Sequence, residues 1–180
     1  MKVEHIDMIQ ASAMDVFLIV RDKLPELSRF LPNISEVKQI SREEQPDGMQ
    51  KIVNHWFADV ELPSLIRAFL SKSLLSWKDT AVWNEKDLTV SYQLESFVVN
   101  DLFRAEGKNV FEDCGDEGTR LSLCCSVEII PEKIPGVPVF LMKKVNPVIE
   151  KVIEKMLQPN LTSLGKGLRD YLREHPLPPR

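Results

Sequence analysis

The last long segment of the chain, Val139 to Leu172, limits the fold more than any other stretch, because it needs a surface to lie on. Its apolar residues fall at Leu141, Val145, Val148, Val152, Met156, Leu161, Leu164, Leu168 and Leu172, spacings that lay one stripe along a helix. Glu150, Lys151, Glu154 and Lys155 fall between them and form the wet face. At ~1.5 Å per residue a single rod would run roughly 50 Å, longer than a domain of this size is wide, so a bend or break is expected. Asn146-Pro147 offers a cap and a new helix start, and Pro159 removes an internal hydrogen bond, which predicts a kink. Gly165 and Gly167 cost ~1 kcal/mol each relative to Ala. Either the sheet or a ligand approaches them closely, or the last turns are loose.

Upstream the periodicity is mostly that of strands. Lys2 to Ala11 mixes apolar and charged residues and predicts an edge strand. Ser12 reads as an N-cap, with Asp15 in the first turn of a short helix that carries Val16, Phe17, Ile19 and Val20. A second short helix, Leu24 to Phe30, stops at Pro32. From Ile34 the period becomes two. Three hairpins follow: Ile34 to Ser41 with Met49 to Ala58, Leu75 to Trp83 with Leu88 to Ser96, and Phe103 to Phe111 with Thr119 to Ile130. The turns between partners hold Pro46-Asp47-Gly48, Asn84-Glu85-Lys86-Asp87 and Asp113 to Gly118. Between the first two hairpins, Pro63 to Ser71 returns to helical spacing with Leu65, Ile66, Phe69 and Leu70, an inserted amphipathic helix.

The chain is expected to be one α+β domain, 1–180, with 175–180 a frayed tail. A net charge of −4 with no basic block excludes the electrostatic footprint of a nucleic-acid binder. Met1 to Gln10 has no apolar signal core, and no run of 18 apolar residues occurs, so a cytoplasmic location without stable membrane insertion is expected. Cys114, Cys124 and Cys125 lack metal spacing and read as free thiols, the adjacent pair pointing to opposite faces of a strand. No cofactor is implied, and oligomeric state is left open.

The order strand, two short helices, six antiparallel strands and a long C-terminal helix resembles the START-like helix-grip superfamily, often called SRPBCC. Ile9-Gln10-Ala11-Ser12-Ala13-Met14-Asp15-Val16-Phe17 is similar to its strand-into-helix entry, and Phe30-Leu31-Pro32-Asn33 to its turn into the second strand. Within it, the chain resembles the polyketide cyclase/dehydrase and coenzyme Q-binding branch. The resemblance implies a seven-stranded curved antiparallel sheet wrapped around the long helix, with a hydrophobic cavity between them that takes an apolar or amphipathic small molecule. The inserted helix departs from many relatives.

Strand parity then nominates cavity residues. Trp77, Ala81 and Trp83 bring Asp79 to the inner face; Leu88, Val90 and Leu94 bring Tyr92; Phe103, Ala105 and Phe111 bring Asn109. On the strand of His55 two parities compete: Met49, Val53 and Phe57 turn His55 inward, whereas Ile52, Trp56 and Ala58 define the opposite face almost as well. The ligand-binding candidates are Phe57, Phe69, Trp77, Trp83, Tyr92, Asn109, Phe111 and Met156, though aromatic residues on strands are commonly core. Three readings remain open: a binder or carrier of a lipid, quinone or polyketide-like molecule; a cyclase/aromatase-type enzyme using His55, Tyr92 and Asp79 as acid/base groups; and a protein-interaction module docking a partner through an apolar groove or the inserted helix. No sequence motif demands catalysis.

Overall fold

Alternation of apolar and polar residues, bounded by turn chemistry, produces seven strands. The structure, a computed structural model, describes residues 1–64, 76–97, 103–130 and 138–178, the side chains at 139, 153, 156 and 157 excepted. The strands are β1 (Lys2–Ile9), β2 (Ile34–Glu44), β3 (Gln50–Ala58), β4 (Trp77–Asn84), β5 (Thr89–Ser96), β6 (Phe103–Asp113) and β7 (Thr119–Ile129). They form one antiparallel sheet in the order β1-β7-β6-β5-β4-β3-β2, so β1 and β2 are its edges. Helices α1 (Ala13–Asp22) and α2 (Leu24–Leu27) follow β1, and α2 runs into a single 3-10 turn rather than continuing to Phe30. Ser12 caps α1 as expected: its hydroxyl accepts from the Asp15 N–H at 3.2 Å. The predicted inserted helix lies outside the described residues from position 65 on.

The C-terminal segment is one unbroken helix, α3 (Val139–Glu174), of 36 residues with Pro147 and Pro159 inside it. The expected break at Asn146-Pro147 does not occur. Pro159 has no N–H for the carbonyl of Lys155 four residues earlier. That carbonyl instead accepts from Asn33 Nδ2 at 3.3 Å, so the loop before β2 supplies the bond that the proline withholds. Asn33 stands at φ +62°, a left-handed conformation that asparagine tolerates better than most residues.

The buried stripe of α3 is Val145, Ile149 and Val152, then Leu164, Leu168 and Tyr171. The spacing argument anticipated Val145, Val152, Leu164 and Leu168 but placed Val148 and Leu172 where Ile149 and Tyr171 are the buried residues. Gly165 answers the glycine question: a Cβ there would lie 2.0 Å from Asp7 Oδ2, so its absence lets α3 close on edge strand β1. Asp7 is held at that crossing by Arg169 Nη1, which donates to its Oδ1 at 3.0 Å, and by His5 Nε2 at 2.9 Å from its Oδ2.

The core falls into two halves. One gathers Trp77, Phe103, Val127 and the first turns of α3; the other gathers Phe17, Trp83, Phe111 and Leu121 under α1 and the last turns of α3. Trp56 and Tyr92 touch both halves.

Candidate functional site

The inner face of β4 carries Trp77, Asp79, Ala81 and Trp83, every second residue and all buried. Register extends these into cross-strand rows. Asp79 stands beside Asn54 and Leu94; Ala81 beside Ile52 and Tyr92, with Gly107 and Cys125 beyond; Trp83 beside Val90, with Asn109 beyond. Where the two core halves meet, these rows apart from Ile52, Asn54 and Gly107, together with Val20, Leu24 and Leu31 near the first helices and Asn160, Leu161 and Leu164 of α3, line a hollow of about 110 Å³. Trp56 and Trp77 stack along one wall, centroids 5.5 Å apart and planes 13° apart.

Asp79 is the one carboxylate among the described lining residues, and only 6% of it is exposed. Its Oδ2 accepts from Trp56 Nε1 at 3.2 Å and more weakly from Asn54 Nδ2 at 3.4 Å. Its Oδ1 has no hydrogen-bond partner within the protein. Burial pushes the carboxyl up to about 6, against the downward pull of those two bonds. In the row of Trp83, two further lining residues hold atoms likewise buried without protein partners, Trp83 Nε1 and Asn109 Oδ1. Buried polar groups are otherwise almost always satisfied, so three such atoms on residues that line one hollow set it apart from the rest of the core.

Tyr92 crosses the floor. A Cβ on Gly107 would lie 2.2 Å from Tyr92 Cζ and 2.5 Å from the Cys124 carbonyl oxygen, so the glycine is what lets the phenol pass over β6. Its hydroxyl donates to that carbonyl at 3.3 Å. Burial drives the phenol far above its ordinary range and pushes the Cys125 thiol beside it up to about 11. Neither group is poised to ionise near neutrality. Among the described residues no group of three His, Cys, Asp or Glu side chains is placed to hold a metal ion, and no helix is long and apolar enough to cross a membrane.

No family model matches the chain, and no curated protein matches it in sequence. Solved structures do match. TTHA0849 from Thermus thermophilus aligns with a TM-score of 0.68 at 22% identity, covering 98% of this chain and 100% of that one. The Zhui aromatase/cyclase from a Streptomyces species gives 0.63 at 15% identity over 97% and 94%. A START superfamily protein from Mycobacterium smegmatis gives 0.51 at 15% over 97% and 98%. The chain has the START-like helix-grip fold.

On this helix-grip scaffold the sequence-predicted residues divide. Trp77, Asp79, Trp83, Tyr92 and Asn109 line the hollow together. His55 and Phe57 do not: β3 takes the opposite parity, burying Ile52, Asn54 and Ala58 and turning His55 and Phe57 to the convex face. There His55 packs edge-on against Phe97 at 4.3 Å, and Lys38 lies over the Phe57 ring. Partial burial, and then the nearby Lys78 charge, lower the His55 pKa, which disfavours its protonated form. It is no longer a candidate for the site. Phe111 faces inward as predicted but packs in the core, edge-on to Phe17 at 5.4 Å, instead of lining the hollow. Phe69 and the Met156 side chain lie outside the described residues. Sequence reasoning missed Asn54 and Asn160. The signal for Asn54 was available, since it shares parity with Ile52, Trp56 and Ala58.

Proposed function

We propose that the chain binds a hydrophobic or amphipathic small molecule in the hollow between sheet and C-terminal helix. The observation that carries this reading is the pairing of an apolar, Trp-rich wall with three buried polar atoms that the protein leaves unmet. Each unmet group costs about 1–3 kcal/mol of desolvation, which a ligand offering matching groups recovers. Lipid, quinone and polyketide-like molecules share the required chemistry of an apolar body with a few oxygen atoms. The test is native mass spectrometry of freshly purified protein, followed by melting of the stripped protein against a fatty-acid, quinone and phenol panel. A co-purified organic molecule, or a ligand-dependent rise in Tm, supports the reading. A stripped protein indifferent to every class would refute it.

One observation favours a second reading, that of a cyclase/aromatase-type enzyme. Asp79, with one oxygen held by Trp56 and Asn54 and the other without a protein partner, is the acid/base group of the lining, and a pKa of about 6 lets it exchange a proton near neutral pH. Asp79→Asn would then abolish turnover of a polyketide-like substrate while sparing its binding.

A further inference from the structure

The three unmet atoms sit at two ends. Asp79 and Trp83 are four residues apart on one face of β4, about 13 Å between Cα positions at ~3.3 Å per residue, and Ala81 lies between them. Asn109 shares the row of Trp83, one strand beyond Val90. The volume sets the size of the guest: about 110 Å³ is of the order of the ~150 Å³ cavity that admits a benzene ring, and far short of a long acyl chain.

The donors and acceptors narrow the class. At the far end Trp83 Nε1–H needs an acceptor and Asn109 Oδ1 needs a donor, a pair that a hydroxyl satisfies alone and a carbonyl does not. At the near end the ionised Asp79 accepts from a hydroxyl. No Lys, Arg or His is among the described lining residues, so nothing there compensates a ligand carboxylate next to Asp79. We infer that the hollow takes a single uncharged aromatic ring with a hydroxyl-bearing group at each of two opposite positions, seated over Ala81 with one group at Asp79 and the other between Trp83 and Asn109. The inference rests on the binding reading above and specifies its ligand.

The experiment is a calorimetric titration of stripped protein at pH 7.5, under argon, with four probes: hydroquinone, 4-hydroxybenzyl alcohol, 4-methylphenol and decanoic acid. The first two are two-ended, the third replaces one hydroxyl by a methyl group of similar size, and the fourth is a charged chain. Both two-ended probes are expected to bind at least tenfold tighter than 4-methylphenol, because an unmatched buried partner is what rejects the analogue. Asn109→Leu and Asp79→Leu, each checked for folding by circular dichroism, should each reduce that ratio to within threefold. If one variant fails to fold, the other, together with the wild-type ratio, decides. Equal affinity of 4-methylphenol and hydroquinone overturns the inference, as does decanoic acid binding tighter than any ring, and both outcomes leave the binding reading standing. Failure of all four probes overturns the inference, and the binding reading falls with it if the wider panel also fails.

Discussion

Asp79 is where burial and charge conflict most directly. Its carboxyl titrates near 6 in the fold because burial disfavours the anion, against about 3.9 in an unfolded chain. A raised acid pKa means that the folded state binds more protons between those values, so this group's stabilising contribution is complete below about 4 and is lost as pH rises through about 6. The difference between about 3.9 and about 6 corresponds to about 3 kcal/mol. Asp79→Asn should therefore match wild type at pH 4 and exceed it by up to about 3 kcal/mol at pH 8, measured by urea unfolding at both pH values. An unchanged pH profile in the variant would show that Asp79 is not the titrating group. Gly107 presents a steric version of the same local constraint. Gly107→Ala would place its methyl 2.2 Å from Tyr92 Cζ and 2.5 Å from the Cys124 carbonyl oxygen, and only the tyrosine can yield. A loss of about 1–3 kcal/mol is expected, with a change in tyrosine fluorescence as the ring leaves the floor.

Among the elements, what the sequence made legible depended on how uniform each strand's two faces are. In β4, Trp77, Ala81 and Trp83 alternate with Lys78, Thr80, Val82 and Asn84, and the one polar residue on the apolar parity, Asp79, was identified because two tryptophans and an alanine share its face. In β3 both faces hold apolar residues. Phe57 is covered on the convex side by Lys38 and Phe97, and polar Asn54 is buried because Asp79 on β4 accepts from it. Those partners are distant in sequence, so local parity could not rank the two registers. The long helix shows the same dependence on distant partners: Pro159 leaves the Lys155 carbonyl without its helical donor, and Asn33 provides one from more than a hundred residues away. This makes Asn33 testable in two parts. Asn33→Gly keeps the left-handed conformation and loses the bond, at about 1 kcal/mol or less. Asn33→Ala must also be forced to positive φ, which adds about 1–2 kcal/mol. Equal melting of the two variants would mean that the backbone conformation contributes nothing.

At the scale of the whole molecule, a hollow at the junction of two core halves weakens the fold wherever it is not filled. Packing to the usual interior density would have been simple, because Ala81 lies at the centre of the floor with its Cβ facing inward between Ile52 and Tyr92. Ala81→Leu adds three buried carbons, worth about 2 kcal/mol by transfer, against about 1–3 kcal/mol for overpacking. The free protein should therefore melt within a few degrees of wild type. The ligand-induced rise in Tm, about 2.7 kcal/mol of stabilisation at a hundredfold excess over Kd in wild type, should vanish in the variant. That combination, stability kept and uptake lost, is the signature of a space maintained for a guest. A variant that still gains stability from the same ligand would place the binding site elsewhere in the molecule, and Asp79, Trp83 and Asn109 would then be no more than costly residents of a core.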